Sequence, residues 1–221
     1  MKELEITALF ALDYTLAKTF LTRFCYPWEA LGEIGEFLTA LGAALPEGYE
    51  QKAEGIWVHR TARIHPSAQI SAPCIIDEGA ELRPGAFLRG NVLVGKHTII
   101  GNSCEVKNAI LFDDVQVPHF NYVGDSILGH LSHMGAGAVT SNVKGDRQPV
   151  SIHTPAGDLA TGRKKVGAFL GDGAEIGCNS VLNPGTVIGQ GARVYPLSCV
   201  RGTVPAGCIY KNEDTIVPIQ K

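Results

Sequence analysis

Aromatic side chains are scarce in this chain: 7% of 221 residues, although 45% are hydrophobic. Apolar content that high excludes disorder. Because it comes in small aliphatic units rather than Phe, Tyr and Trp, it also disfavours an ordinary two-layer domain. Neither charge is in excess: 19 basic residues against 22 acidic leave a net of −3, and no nucleic-acid partner is implied. No run approaches the ~20 apolar residues of a membrane span. Met1 to Lys18 carries Glu3, Glu5 and Asp13 within its apolar stretch and lacks the basic-then-apolar layout of a signal peptide. A soluble, cytoplasmic protein with no membrane partner is expected. Six cysteines, at 25, 74, 104, 178, 199 and 208, include no CxxC pair; no zinc knuckle or redox motif is visible, and free thiols are expected.

Glycine, by contrast, is abundant, with 26 residues beside 12 prolines, which points to a turn-rich repeat. Stepping by six from Val58 meets an apolar residue at every stop: Ile64, Ile70, Ile76, Leu82, Leu88, Val94, Ile100, Val106 and Phe112. At 45% apolar content, ten such stops in a row arise by chance roughly once in three thousand. Four residues after each stop stands a small or β-branched residue for most of the run, as at Ala62, Cys74, Ala86 and Cys104. The count slips by one near Ala109, resumes through Leu111, Val117 and Val123, slips again near Asp125, and continues at Leu128 and Met134. After an interruption it returns as Leu170, Ile176, Leu182, Ile188, Val194 and Val200.

A period of six is neither the 3.6 of a helix nor the 2 of an isolated strand. It is the hexapeptide signature of a parallel β-helix, in which each hexapeptide makes one short strand and a turn, and three make a triangular coil. The expected fold is therefore an all-β solenoid of about seven coils, with large aliphatics inside the prism and small residues, Cys74 and Cys104 among them, at its inner corners. Residues 1–55 read differently. Trp28, Leu31, Ile34, Leu38 and Leu41 share one helical face, Pro27 suits a first turn, and Glu29 and Glu33 favour its positive end. A helical N-terminal cap over the open first coil is expected, followed by a solenoid domain over 56–221. Residues 141–165, polar and ending in Arg163, Lys164 and Lys165, form an inserted loop, and a long excursion from a rigid solenoid is usually functional.

Chemistry on such a rod has to come from its outer faces and loops. The polar residues interrupting the ladder are Arg83 in LRPGA, Lys107 in EVKNA, His119 and Tyr122 in HFNYVGD, His133 in HMGAG, and Asn142 in TSN. Arg and Lys suit a phosphate, a neutral His suits taking a proton from an amine, and Asn and Tyr suit sugar hydroxyls. Their spacing does not place them all on one face of one subunit, whereas rods packed side by side in a three-fold assembly would bring such faces together.

The stretch from Leu82 to Asn142, with LRPGA, EVKNA, HFNYVGD, GAG and SN in that order, resembles the acetyltransferase domain of the bifunctional bacterial enzyme that acetylates glucosamine-1-phosphate and then uridylylates it. The resemblance implies a left-handed β-helix, the known exception to right-handed crossovers, and a homotrimer. It also implies an acetyl-CoA-dependent N-acetyltransferase of an amino-sugar phosphate or amino-sugar nucleotide, in UDP-N-acetylglucosamine biosynthesis. On that resemblance His119 is the catalytic base, Arg83 and Lys107 hold the sugar phosphate, and Tyr122 and Asn142 contact substrate. The coenzyme groove would run by Ala136, Cys178 and Pro196.

The chain departs from the pattern at several points. His133 stands where the family has Asn and is a further candidate substrate contact. Cys178 and Pro196 replace small groove residues, and the connection from Val143 to Lys165 is longer, with Lys165 matching a basic family residue near its end. The 55 residues before the prism are too few for a uridylyltransferase domain and hold no Gly-rich nucleotide loop.

Two other readings remain open at this point. Left-handed prisms also host gamma-type carbonic anhydrases, but the HxxxxH pair of those metal enzymes is missing among the seven histidines, and no metal site is expected. A non-catalytic trimeric scaffold or sugar-nucleotide-binding protein is the other.

Overall fold

The six-residue count closes into coils. The computed structural model describes residues 1–212 and 215–220 and shows short strands stacked in parallel on three faces. On the first face the levels run from Ile56–His59 through Cys74–Ile76 and Val92–Val94 to Thr203–Val204. The second runs from Arg63–Ile64 to Cys208–Asn212, and the third from Gln69–Ser71 to Cys199–Val200. The chain is a left-handed parallel β-helix; its period predicts the solenoid and the resemblance its hand, while among the described residues the first face carries eight strand levels against the seven coils expected.

Within each strand, alternate side chains point inward, so that Ile76, Val94, Leu111, Leu128 and Leu170 stand in register and fully buried. Each such aliphatic contributes roughly 1.5–3 kcal/mol by leaving water. Aliphatics fill this bore at nearly every level, with Tyr210 entering only at the last level of the second face, which accounts for the shortage of aromatics.

The two slips in the count have a structural cause. Cys74 pairs with Val92 eighteen residues on, but Val92 pairs with Ala109 and Ala109 with Ser126, each seventeen on. The missing residue is taken from the corner between the third and first faces. There Glu105–Leu111 and Tyr122–Leu128 run through as single long strands. Asn108 and Asp125 make those tight corners at φ of 47° and 50°, a left-handed conformation that Asn and Asp tolerate better than most residues.

The N-terminal segment is helical, but it does not sit over the open end of the first coil. It runs along the first face, whose outward side chains are a second apolar ladder: Ile75, Leu93, Ile110, Ile127 and Phe169, all fully buried. Phe10 lies 5.2 Å from Phe112 and Trp28 lies 6.0 Å from Phe169, ring centre to ring centre. The helix Ile34–Gly42 packs across the strands below them. Pro27 opens the short helix Pro27–Ala30, and the Glu29 carboxylate accepts the Tyr26 N–H at 2.9 Å. Trp28, Leu31, Ile34 and Leu38 are buried, as their common face predicts. The open edge of the first strand is covered by a strand instead: Tyr49–Ala53 pairs antiparallel with Ile56–His59.

The excursion after Asn142 folds back as a hairpin, Ser151–Thr154 against Gly157–Ala160. Val150 and Ile152 are buried, and the hairpin is pressed onto the upper coils. A Cβ on Gly202 would lie 2.9 Å from the His153 carbonyl oxygen, and Gly202 has a φ of +87°; both conditions call for glycine.

Candidate functional site

The candidate residues fall into two groups on opposite edges of the third face. At the edge shared with the second face, the N–H of Gly137 donates to the His119 carbonyl, that of Asn179 to Ala136, and that of Leu197 to Cys178. These bonds stack His119, Ala136 and Cys178 at the same position on successive levels. Cys178 and Pro196 follow in the same register, each two residues beyond the paired Ile176 and Val194. At ~4.8 Å per level the column extends about 14 Å from His119 to Pro196.

The His119 side chain is exposed, and none of the described residues hydrogen-bonds its ring; its backbone N–H is fixed by Asn121 Oδ1 at 3.0 Å. Among the described residues, the N–H groups of Ala136 and Cys178 have no acceptor. The column is therefore a line of amide donors, ending at Pro196, which has none. Phe120, 63% exposed, and Leu197, 80% exposed, stand beside it.

The second group is held by Asp125, a carboxylate only 5% exposed at the tight corner between the third and first faces. Its Oδ2 accepts from Asn142 Nδ2 at 2.5 Å and from Lys107 Nζ at 3.4 Å; its Oδ1 accepts from Asn108 Nδ2 at 2.9 Å. Asn142 also donates to the Tyr122 hydroxyl at 3.2 Å. Since that oxygen accepts, the phenolic proton is left to donate outward. Burial pushes the Tyr122 phenol above its ordinary range, and the Asp125 charge pushes the same way, so the proton is retained. Arg89 and Glu105 add an ion pair at 2.5 Å on the same face, where Glu105 is register partner to Tyr122.

Lys107, Tyr122 and Asn142 are thus brought together within one chain. His119 lies in the same coil as Tyr122, three residues earlier and around the corner at Phe120. Arg83 stands at the His119 edge two levels below, its Nε bound to Glu81 at 3.1 Å. His133 lies out on the second face, paired with Glu175 at 2.9 Å, away from both groups. Lys165 is exposed at the end of the excursion. His130 is stacked on Tyr14, ring centres 3.8 Å apart, at the far corner between the first and second faces, and so does not converge with His133. Asp125 and Asn108 are the functional candidates that sequence reasoning passed over. Their signal was present, since Asp125 closes HFNYVGD and the count breaks at both positions.

The model of the GMPPB C-terminal domain matches residues 70–154, which enclose every motif from Leu82 to Asn142. A bifunctional sugar-1-phosphate nucleotidylyltransferase/acetyltransferase of Sulfurisphaera tokodaii is 32% identical over 174 residues, 71% of this chain and 43% of the relative. An uncharacterized acetyltransferase of Escherichia coli, YaiX, is 28% identical over 167 residues, 76% of this chain and 73% of its own length. Its relatives are acetyltransferases. The chain spans less than half of the bifunctional relative. Among solved structures, the acetyltransferase domain of PglB from Neisseria gonorrhoeae in complex with acetyl coenzyme A is similar in fold only. The TM-score is 0.34 at 15% identity, over 75% of this chain and 58% of that one.

Proposed function

We propose that the protein is an acetyl-CoA-dependent N-acetyltransferase acting on an amino sugar that bears a phosphate, free or nucleotide-linked. The observation that carries the reading is the column in which His119 stands at the foot of the unpaired amide N–H groups of Ala136 and Cys178. Such donors suit the amide oxygens of a pantetheine arm lying along the edge, with the thioester toward His119. A neutral imidazole takes a proton from the sugar amine as its nitrogen attacks the thioester carbonyl. The N–C bond forms, the C–S bond breaks, and the imidazolium returns the proton to the departing thiolate. Histidine suits this role because its ordinary titration lies near neutrality.

Lys107 and the Tyr122 hydroxyl supply donors for a phosphate or sugar oxygen, with Asp125 and Asn142 fixing both. A homotrimer in the cytoplasm is part of the proposal: packing by three-fold symmetry sets the His119 edge of one rod against the Lys107 edge of the next. Arg83, His133 and Lys165 are assigned to substrate contacts in that shared groove, and Pro196 to its coenzyme wall. Place in the synthesis of an N-acetylated amino-sugar nucleotide follows from the same reading.

Thiol release from acetyl-CoA with glucosamine-1-phosphate tests it directly. His119→Ala is expected to lower kcat about 10²- to 10⁴-fold while leaving the fold intact. Unchanged turnover in that variant would remove His119 as the base. No thiol release from the wild type with any amino-sugar phosphate or nucleotide would favour the scaffold reading.

A further inference from the structure

A second cleft, of about 500 Å³, opens between the excursion and the upper coils, on the edge of the third face opposite His119. Its floor is a file of residues in register: Ser141, Asn183 and Arg201 follow Thr140, Leu182 and Val200, which are stacked partners. The same file holds Lys107 at a lower level, since Val106, Val123 and Thr140 belong to the same inward ladder. Its wall is the excursion, which contributes Lys144 and His153.

Two fixed positive charges, Lys144 and Arg201, line the cleft against one carboxylate, Asp146. Asp146 is already engaged by Lys144 at 3.2 Å and by the Gln148 N–H at 3.0 Å. Arg201 forms no ion pair with a carboxylate among the described residues; its side-chain hydrogen-bond partner among them is His153 Nε2, at 3.1 Å. Because an arginine only donates, that ring nitrogen is the acceptor, so Nδ1 carries the proton and donates to Asp158 at 2.8 Å. His153 is held neutral-side toward the guanidinium and orients it without cancelling its charge. The hairpin carrying His153 is seated on buried Val150 and Ile152, and so the arrangement is built before any ligand arrives.

We infer that this cleft binds a phosphate ester, with Arg201 as its principal donor and Lys144 as the second. An uncompensated guanidinium with preset geometry suits an oxyanion better than any neutral ligand. Who bears the phosphate depends on the proposed function: either a nucleotide-linked sugar extending up the Lys107 file or the phosphates of the coenzyme.

Calorimetric titrations of inorganic pyrophosphate, uridine diphosphate and coenzyme A into wild type, Arg201→Gln and Lys144→Gln separate these cases, with circular dichroism confirming the fold. Lys144 stands on the excursion, outside the prism, so its variant keeps the test informative should Arg201→Gln unfold. Pyrophosphate is expected to bind at least tenfold more weakly to each variant, and more weakly still at raised salt. A parallel loss for uridine diphosphate with coenzyme A unaffected identifies the sugar nucleotide; the reverse identifies the coenzyme. Pyrophosphate binding within twofold of wild type in both folded variants overturns the inference, as does no binding to wild type at millimolar concentration. Arg201-dependent pyrophosphate binding by a protein that releases no thiol would refute the acetyltransferase and leave this site standing.

Discussion

Burial of a single carboxylate gives this fold a distinctive pH response. Asp113 is half-buried, which pushes its pKa up to about 6; the Lys96 N–H that it accepts at 2.9 Å opposes the shift, and the Asp77 charge adds to it. An aspartate in the unfolded chain titrates near ~3.9. The folded chain therefore holds this proton more tightly, and the stability Asp113 contributes is present below that value and lost as pH rises through about 6. Asp113→Asn keeps the acceptor for Lys96 and removes the charge. It is expected to stabilise the protein by about 1–2 kcal/mol at neutral pH and by little near pH ~4, read from urea midpoints at both. The Asp125 carboxylate is buried and supplied with three donors. Motif reading reached His119 and Tyr122 because their chemistry is intrinsic to the side chain. The role of Asp125 depends on a corner one residue short and on neighbours from the coils below and above it. Asn108 depends on even more distant chain, since it also donates to the Leu31 carbonyl at 3.2 Å.

At the scale of elements, a period of six was enough to set strand, turn and bore, because every coil repeats the same inward demand. The placement of the helical segment was harder to read. An amphipathic helix announces that it needs an apolar partner without saying which one. The partner was nonetheless written in the chain: Ile75, Leu93, Ile110 and Ile127 each precede an inward aliphatic, doubling the apolar residues once per coil. A strand apolar on both sides is covered on both sides. Trp28 is 3% exposed, faces Phe169 and stacks on Tyr26 with ring centres 4.6 Å apart. Trp28→Ala is expected to cost about 3–5 kcal/mol in a denaturant titration. Full stability in that variant would mean that the segment merely rests on the face.

For the whole molecule, the separation of His119 from the Lys107 group across the third face makes assembly the decisive question. Exposed Phe120 and Leu197 at the His119 edge are the kind of apolar surface that subunit contacts cover. Light scattering is expected to give about 70 kDa, three times the 23.5 kDa chain. His119→Ala and Asn142→Ala, each inactive alone, are expected to recover about a quarter of wild-type activity when unfolded and refolded together at equal amounts, because a site shared between chains then regains both residues at some interfaces. No recovery would confine the site to one chain.

The strap of residues along the first face bears on this in another way. A triangular prism with three equally bare sides is a tile: copies can be added sideways without limit, and the plane fills. Each member of a closed ring needs only two bare sides, one for the copy ahead and one for the copy behind. By clothing the third side with its own helices, the chain leaves two, the number that the proposed trimer requires.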